Sequence, residues 1–232
     1  MVINMSRTYF PKTTKMSLVD VGSALGANSI ELKDMGYKVS AIEIDPNLVD
    51  QFKKNPEAKG IDIHLGDATK MPFKDNSFDR AILIEVIEHV PATDALLSEI
   101  HRVLKPGGIL CIGVPTSYTE KIYWRLHPEY PTNATHVHVF NRPKLQRVLE
   151  KNGYKIKAIE TKNFVPAVAW IGHAALRSKS DHTGAIHEHL WIDRWASAFF
   201  RGWSRVPILN KGYGLLNRVW GKSWYLYCEK VT

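Results

Sequence analysis

The sequence predicts a doubly wound α/β fold: a mostly parallel sheet of seven strands with helices on both faces. Three observations carry that prediction. Short apolar runs alternate with amphipathic segments through residues 17–160 at the spacing of right-handed βαβ units. The first run ends in a glycine turn, Asp20-Val21-Gly22, where a strand hands over to a helix. The composition, 44% hydrophobic and 23% charged over 232 residues, excludes disordered, collagen-like and coiled-coil chains and suits one domain with an elaboration.

Each element follows from its local pattern. Ser17–Val21 is a short apolar strand, and Asn28–Met35 is a helix stopped by Gly36. Lys38–Ile44 is the second strand, closed by Asp45-Pro46. Proline at the first helical position then starts the helix Asn47–Lys54. Ile61–Leu65 is the third strand. Asp79–Ile84 is almost continuously apolar, as a central parallel strand covered on both faces must be. Ala92–Leu104 is a helix ended by Lys105-Pro106-Gly107-Gly108, read as a stop followed by a tight turn, and Ile109–Val114 is the fifth strand. Residues 115–139 read as a long connection rich in aromatics and histidine. Pro143–Asn152 is an amphipathic helix stopped by Gly153, and Tyr154–Glu160 is a strand. Ser223–Lys230 closes the set, which leaves 165–222 as an insertion between the last two strands, a lid and not a tethered module.

The net charge of +8 is unevenly spread: residues 1–120 carry −3 and residues 121–232 carry +11. All seven tryptophans and seven of the ten histidines lie in the second part. Two distant cysteines, Cys111 and Cys228, make neither a disulfide framework nor a zinc site, so a reducing compartment is expected. The first residues lack the apolar run of a secretory signal, and the longest apolar stretch, Phe164 to Leu176, is too short to span a bilayer. The expectation is a cytoplasmic protein, with any membrane contact peripheral.

Chemistry concentrates where strands end. In Asp20-Val21-Gly22-Ser23-Ala24-Leu25-Gly26, glycines let a ligand approach the backbone at a helix N-terminus. Glu43, 21 positions after Gly22, suits a carboxylate that grips two ribose hydroxyls. A pyrophosphate is not clearly invited, because the third glycine of G-x-G-x-x-G is missing, which disfavours a nicotinamide-dependent oxidoreductase.

These motifs, in this order, resemble the class I S-adenosylmethionine-dependent methyltransferases, especially the "type 11" branch that includes quinone-biosynthesis enzymes. LVDVGSALG resembles the family's first motif and AIEIDPNLVDQFKKN its second. GDATKMPFKDNSFDRAILIEVIEHV resembles the third and fourth, and HRVLKPGGILCIGVP the helix and strand that follow. The resemblance implies a Rossmann-like sheet of seven strands, with residues 1–160 as the cofactor-binding core of a single domain, 165–222 as a helical acceptor-site insertion and 223–232 as the closing strand. It implies S-adenosyl-L-methionine as cofactor. Gly22 and Gly26 would pass its methionine part and Asp20 would hold its ammonium group. Glu43 would bind the ribose, Ile44 would pack on the adenine, Asp67 would accept from the adenine amino group beside the Ala68 backbone, and Glu85 would stand near the methyl. Ala24 departs from the family pattern, standing where the middle glycine is usual.

An acceptor hydroxyl or acidic carbon also needs a base, and Glu85-x-x-Glu88-His89 after the fourth strand offers one, because imidazole titrates near neutrality. His89, Glu88 and His138 are the candidate catalytic residues. An alternative reading places a divalent metal among Glu85, Glu88, His89 and a histidine of His136-x-His138, as in metal-assisted small-RNA 2′-O-methyltransferases. A third reading is a non-catalytic cofactor- or RNA-binding protein.

Farther on, Trp191, Trp195, Phe199 and Trp203 form one stripe of a helix flanked by Arg194, Arg201 and Arg205 and ending before Pro207. That stripe suits core packing against the main domain. It also suits a peripheral membrane surface over 186–206 and, less well because no recognised RNA-binding module is present, a nucleic-acid surface. The acceptor expected from so aromatic a lid is a bulky apolar small molecule or lipid.

Overall fold

The computed structural model describes residues 5–126, 137–162 and 221–231. His136 and the aromatic-arginine segment 186–206 lie outside them, as do residues 165–220 of the insertion. The chain divides into two compact units: 1–113 with 142–159 and 226–232, and 114–141 with 160–225.

The seven strands are β1 (Ser17–Val21), β2 (Lys38–Glu43), β3 (Asp62–Leu65), β4 (Phe78–Ile84), β5 (Leu104–Pro115), β6 (Tyr154–Lys162) and β7 (Ser223–Lys230). They form one mixed sheet in the order β3-β2-β1-β4-β5-β7-β6. The pairs β3–β2, β2–β1, β1–β4 and β4–β5 are parallel, with Asp20 opposite Ala41 on one side and Ile82 on the other. The order reverses beside β1, so β1 and β4 diverge into their following segments at the switch point where open α/β sheets hold ligands.

Helices α1 (Ala27–Asp34), α2 (Pro46–Lys54), α3 (Thr93–Val103), α4 (Ser117–Leu126) and α5 (Arg142–Lys151) follow their strands or connections. The Asp45 side chain caps α2 by accepting from the Asn47 amide at 2.8 Å, with Pro46 in the first turn. Amphipathic α3 buries Leu96, Leu97, Ile100 and Val103 on one face. In the sheet, Leu18, Val19, Val21, Ile82, Leu83, Leu110 and Ile112 are wholly buried, as strands covered on both sides require. The N-terminal segment joins this core: Tyr9 stacks on Tyr227 at 4.8 Å between ring centroids, and the Tyr9 carbonyl accepts from Arg80 Nε at 2.7 Å.

Two sequence expectations need correction. Lys105-Pro106-Gly107-Gly108 does not end a helix before a separate strand; it lies inside β5. Leu104 pairs with Phe78 and Ile109 with Arg80, so the intervening residues bulge from the ladder, with Gly107 at φ 72° supplying the bend. The connection 115–139 is not irregular throughout, since Ser117–Leu126 is helical. Within that second unit the Thr116 amide donates to the Lys222 carbonyl at 2.7 Å and the Tyr118 hydroxyl to the Gly221 carbonyl at 2.6 Å. No helix among the described residues is long and apolar enough to cross a membrane.

Candidate active site

The carboxyl ends of β1, β2 and β3 meet at a joint built on Glu43. Its Oε2 accepts from the Ala24 amide at 2.8 Å, and its Oε1 accepts from the amides of Ile44 at 2.8 Å and Asp45 at 3.1 Å. One buried carboxylate thus ties the turn after β1 to the turn after β2. The Gly22 and Ser23 amides donate to the Ile42 carbonyl, at 2.9 and 3.2 Å, and the Gly66 amide donates to the Glu43 carbonyl at 2.9 Å. Three strand ends are held in register at one place.

The two glycines of the first turn are required by their surroundings. Gly26 has φ 79°, and a Cβ there would stand 2.0 Å from the buried ring of Phe52 on α2. Gly22 has φ 73°, and a Cβ there would stand 2.4 Å from Val86 Cγ2. Between them Ala24 adopts φ 46°, the left-handed region that glycine occupies without steric cost. Glu85, just past β4, is likewise left-handed at φ 54°, with its amide donating to the Gly113 carbonyl at 2.8 Å. Two of the three positive-φ non-glycine residues among those described therefore lie at the ends of the neighbouring strands β1 and β4.

Asp20 is 2% exposed and accepts from the wholly buried Ser29 hydroxyl at 2.6 Å. Burial pushes its carboxyl up to about 7; the Ser29 hydrogen bond pulls it back, and the nearby Glu43 adds to the rise. Around this polar floor are apolar side chains turned to solvent: Ile44 is 68% exposed, Leu25 50% and Leu65 55%. Leu65 is the ladder partner of Glu43. Asp67 follows in an Asx turn, its Oδ1 accepting from the Thr69 amide and hydroxyl at 2.8 and 2.9 Å, with Ala68 between.

The other predicted residues are placed less closely. Glu88 and His89 form a short 3-10 turn, Ile87–His89, after β4; Glu88 is buried and His89 half-buried. His138 belongs to the second unit, with its ring 5.7 Å from that of Phe140. Among the described residues no three or more His, Cys, Asp or Glu side chains are grouped to hold a metal ion. Sequence reasoning missed Ser29, a helix-interior serine nine positions from the acid it bonds, for which spacing gives no signal.

A methyltransferase-domain family profile matches residues 19–112, from β1 into β5. Over those residues the chain is similar to the S-adenosylmethionine-dependent methyltransferases. A sterol 24-C-methyltransferase of Gibberella zeae is 40% identical over 99 residues, covering 40% of this chain and 26% of that protein. A 2-methyl-6-phytyl-1,4-hydroquinone methyltransferase of Synechocystis is 34% identical over 125 residues, covering 48% of this chain and 37% of that one. The matched regions span only about a quarter to two-fifths of these relatives. Among solved structures, a methyltransferase of Methanosarcina mazei superposes with TM-score 0.62 at 16% identity, covering 99% of both chains. The [4+2]-cyclase SpnF superposes with TM-score 0.62 at 21% identity, covering 97% of this chain and 79% of that one. At those identities the methyltransferase fold is what is shared; the reaction is read from the site.

S-adenosylmethionine, the cofactor of this family, fits the residues present. Buried Asp20 offers a counter-charge that a cation could use, and a carboxylate at the end of β2 suits a diol. Ser23 Oγ and Asn28 Oδ1, in the turn and the first turn of α1, are buried polar atoms without a hydrogen-bond partner among the described residues.

Proposed function

We propose that the protein transfers a methyl group from S-adenosylmethionine to a bulky apolar small-molecule or lipid acceptor. The observation that carries the cofactor half of this reading is the Glu43 joint, which sets a buried carboxylate between the glycine turn and exposed Ile44. The acceptor half is supported by relatives named for sterol and phytyl-hydroquinone methylation.

In this reading Asp20 holds the cofactor's ammonium group, and Gly22 and Gly26 leave room for its methionine part. Glu43 binds the ribose hydroxyls, Ile44 covers the adenine, and Asp67 accepts from the adenine amino group beside Ala68. Glu85 stands toward the transferring methyl. Bound S-adenosylmethionine supplies an electrophilic methyl on a cationic sulfur that departs as a neutral thioether, so the donor needs no acid. The chain's task is then alignment, holding the acceptor in line and close. Removal of the acceptor proton we assign to His89, with Glu88 and His138 as supporting groups. The basic aromatic segment 186–206 supplies a peripheral membrane surface, from which an apolar acceptor is taken.

Labelled S-adenosylmethionine, supplied with a lipid extract, tests the reading: the label passes into an apolar product identified by mass spectrometry. Folded protein that binds neither S-adenosylmethionine nor S-adenosylhomocysteine in calorimetry overturns it. Within the site, Glu43→Ala weakens cofactor binding, whereas His89→Ala lowers turnover and leaves binding intact; equal losses of affinity would overturn that division of roles.

A further inference from the structure

The loop from Asp67 to Asn76 carries the two residues assigned to adenine, yet it contains little that would hold it in one shape. It has no helix or strand, and Asp67, Lys70, Pro72, Lys74, Asp75 and Asn76 are exposed. Met71 is buried and the Phe73 ring meets His64 and Phe78 edge-on, and the hydrogen bonds to the loop converge on one side chain of α3. Arg102 Nη2 donates to the Met71 carbonyl at 3.2 Å, while its Nη1 donates to the Phe73 carbonyl at 2.8 Å and to Asp75 Oδ1 at 2.6 Å. Its Nε and Nη2 donate to the two oxygens of Glu99, at 2.8 and 2.7 Å, and Glu99 Oε1 also accepts from the Met71 amide at 2.7 Å.

The guanidinium therefore meets three successive odd positions of the loop, 71, 73 and 75, and is itself oriented by a bidentate carboxylate one helical turn away. A planar fork with five N–H donors makes this pattern, and an ammonium cannot. The Arg102 and Val103 carbonyls extend the contact by accepting from the amides of Asn76 and Ser77, at 3.0 and 2.8 Å. Upstream of the clamp only one short unit remains: the Asx turn on Asp67, closed by the Lys70 amide donating to the Asp67 carbonyl at 3.0 Å. With Met71 gripped on both its amide and carbonyl, that turn has one end on β3 and the other on α3. Its position over the carboxyl end of the sheet is fixed from both sides.

We propose that Arg102 is a positioning residue for cofactor binding: oriented by Glu99, it clamps residues 71–75 and so holds Asp67 and Ala68 where the adenine is bound, without touching the cofactor itself. The proposal rests on the reading of Asp67 and Ala68 given above. It reaches a residue that no part of that reading uses, in a segment that the sequence presents only as a helix running into a strand.

A double-mutant cycle on the full chain tests it, with S-adenosylhomocysteine binding read by calorimetry well below the unfolding temperature. Arg102→Ala and Arg102→Lys each weaken binding about tenfold, a loss of about 1.4 kcal/mol. In an Asp67→Ala background the same substitutions cost at most about threefold, because one of the two groups they position is gone. A general loss of stability would not produce that dependence on Asp67. Binding unchanged in both Arg102 variants, or losses that add fully to that of Asp67→Ala, overturns the proposal. The outcomes separate from the functional reading cleanly: a wild-type chain that does not bind S-adenosylhomocysteine overturns that reading, whereas a wild type that binds beside Arg102 variants that bind equally well overturns only the clamp. If Arg102→Ala does not fold, Arg102→Lys, which retains the positive charge beside Glu99 and Asp75, carries the cycle alone.

Discussion

Replacing Asp20 by Asn is expected to make the empty protein more stable while removing the acid assigned above to the cofactor's ammonium group. Burial raises the Asp20 carboxyl from the ordinary 3.8 to about 7. At about 1.4 kcal/mol per pH unit, that gap amounts to an upper bound of about 4 kcal/mol. Below pH 3.8 both folded and unfolded chains hold the proton, and the acid costs nothing. Between 3.8 and about 7 the unfolded chain has released a proton that the folded chain keeps, so stability falls as pH rises; above about 7 the full cost remains. An asparagine keeps an acceptor for the Ser29 hydroxyl and has no charge to bury. Urea denaturation is expected to show Asp20→Asn more stable than the wild type by about 2 kcal/mol at pH 5 and by up to about 4 kcal/mol at pH 8.5. The same variant loses affinity for S-adenosylhomocysteine in calorimetry. A stability difference of the same size at both pH values, or a variant less stable than wild type at pH 8.5, would refute the reasoning.

Further substitutions probe the same crest. Ala24→Gly relieves a left-handed alanine that costs about 1 kcal/mol and opens the turn to the ligand, so S-adenosylhomocysteine should bind severalfold more tightly. Weaker binding by this variant would show that the Ala24 methyl is itself a contact. Gly26→Ala places a Cβ against Phe52 in a backbone conformation hostile to side chains, and denaturation midpoints should report a loss of about 2 kcal/mol or more. A loss under about 0.5 kcal/mol would mean that the turn relaxes freely. Methyl transfer should persist unchanged in a chelator, because a sulfonium donor departs as a neutral thioether and alignment needs no Lewis acid; activity abolished by chelation and restored by a divalent ion would return Glu85, Glu88 and His89 to the metal reading.

The strands and the glycine turn were legible because they rest on short-range signals, whereas the spacing marked Glu43 only as an acid at a strand end and gave no sign that it accepts from amides of two turns. A buried parallel strand must be apolar throughout, and a β-to-α turn that a ligand approaches needs glycine, so β1, β2 and β4 and the Gly22–Gly26 turn stand out in the bare sequence. Lys105–Gly108 was misread for the same reason: proline and two glycines signal a break, and only the pairing of Leu104 with Phe78 reveals that the break is a bulge within one strand. Ser29 and Arg102 were out of reach for a different reason. Their partners are chosen by how α1 and α3 lie on the sheet, and a serine or arginine on a helix reads as solvated until that packing is known.

The glycine turn also bears on the order in which the site can come into being. Nearly everything that shapes Gly22–Gly26 lies later in the chain: the Ile42 carbonyl, the Glu43 carboxylate, the Phe52 ring and Val86. A nascent chain that has emerged only as far as α1 has the motif but not the pocket. If the turn binds the cofactor as proposed, capture must wait until β4 and Val86 are in place, so the chain's most recognisable sequence is made well before it can bind anything.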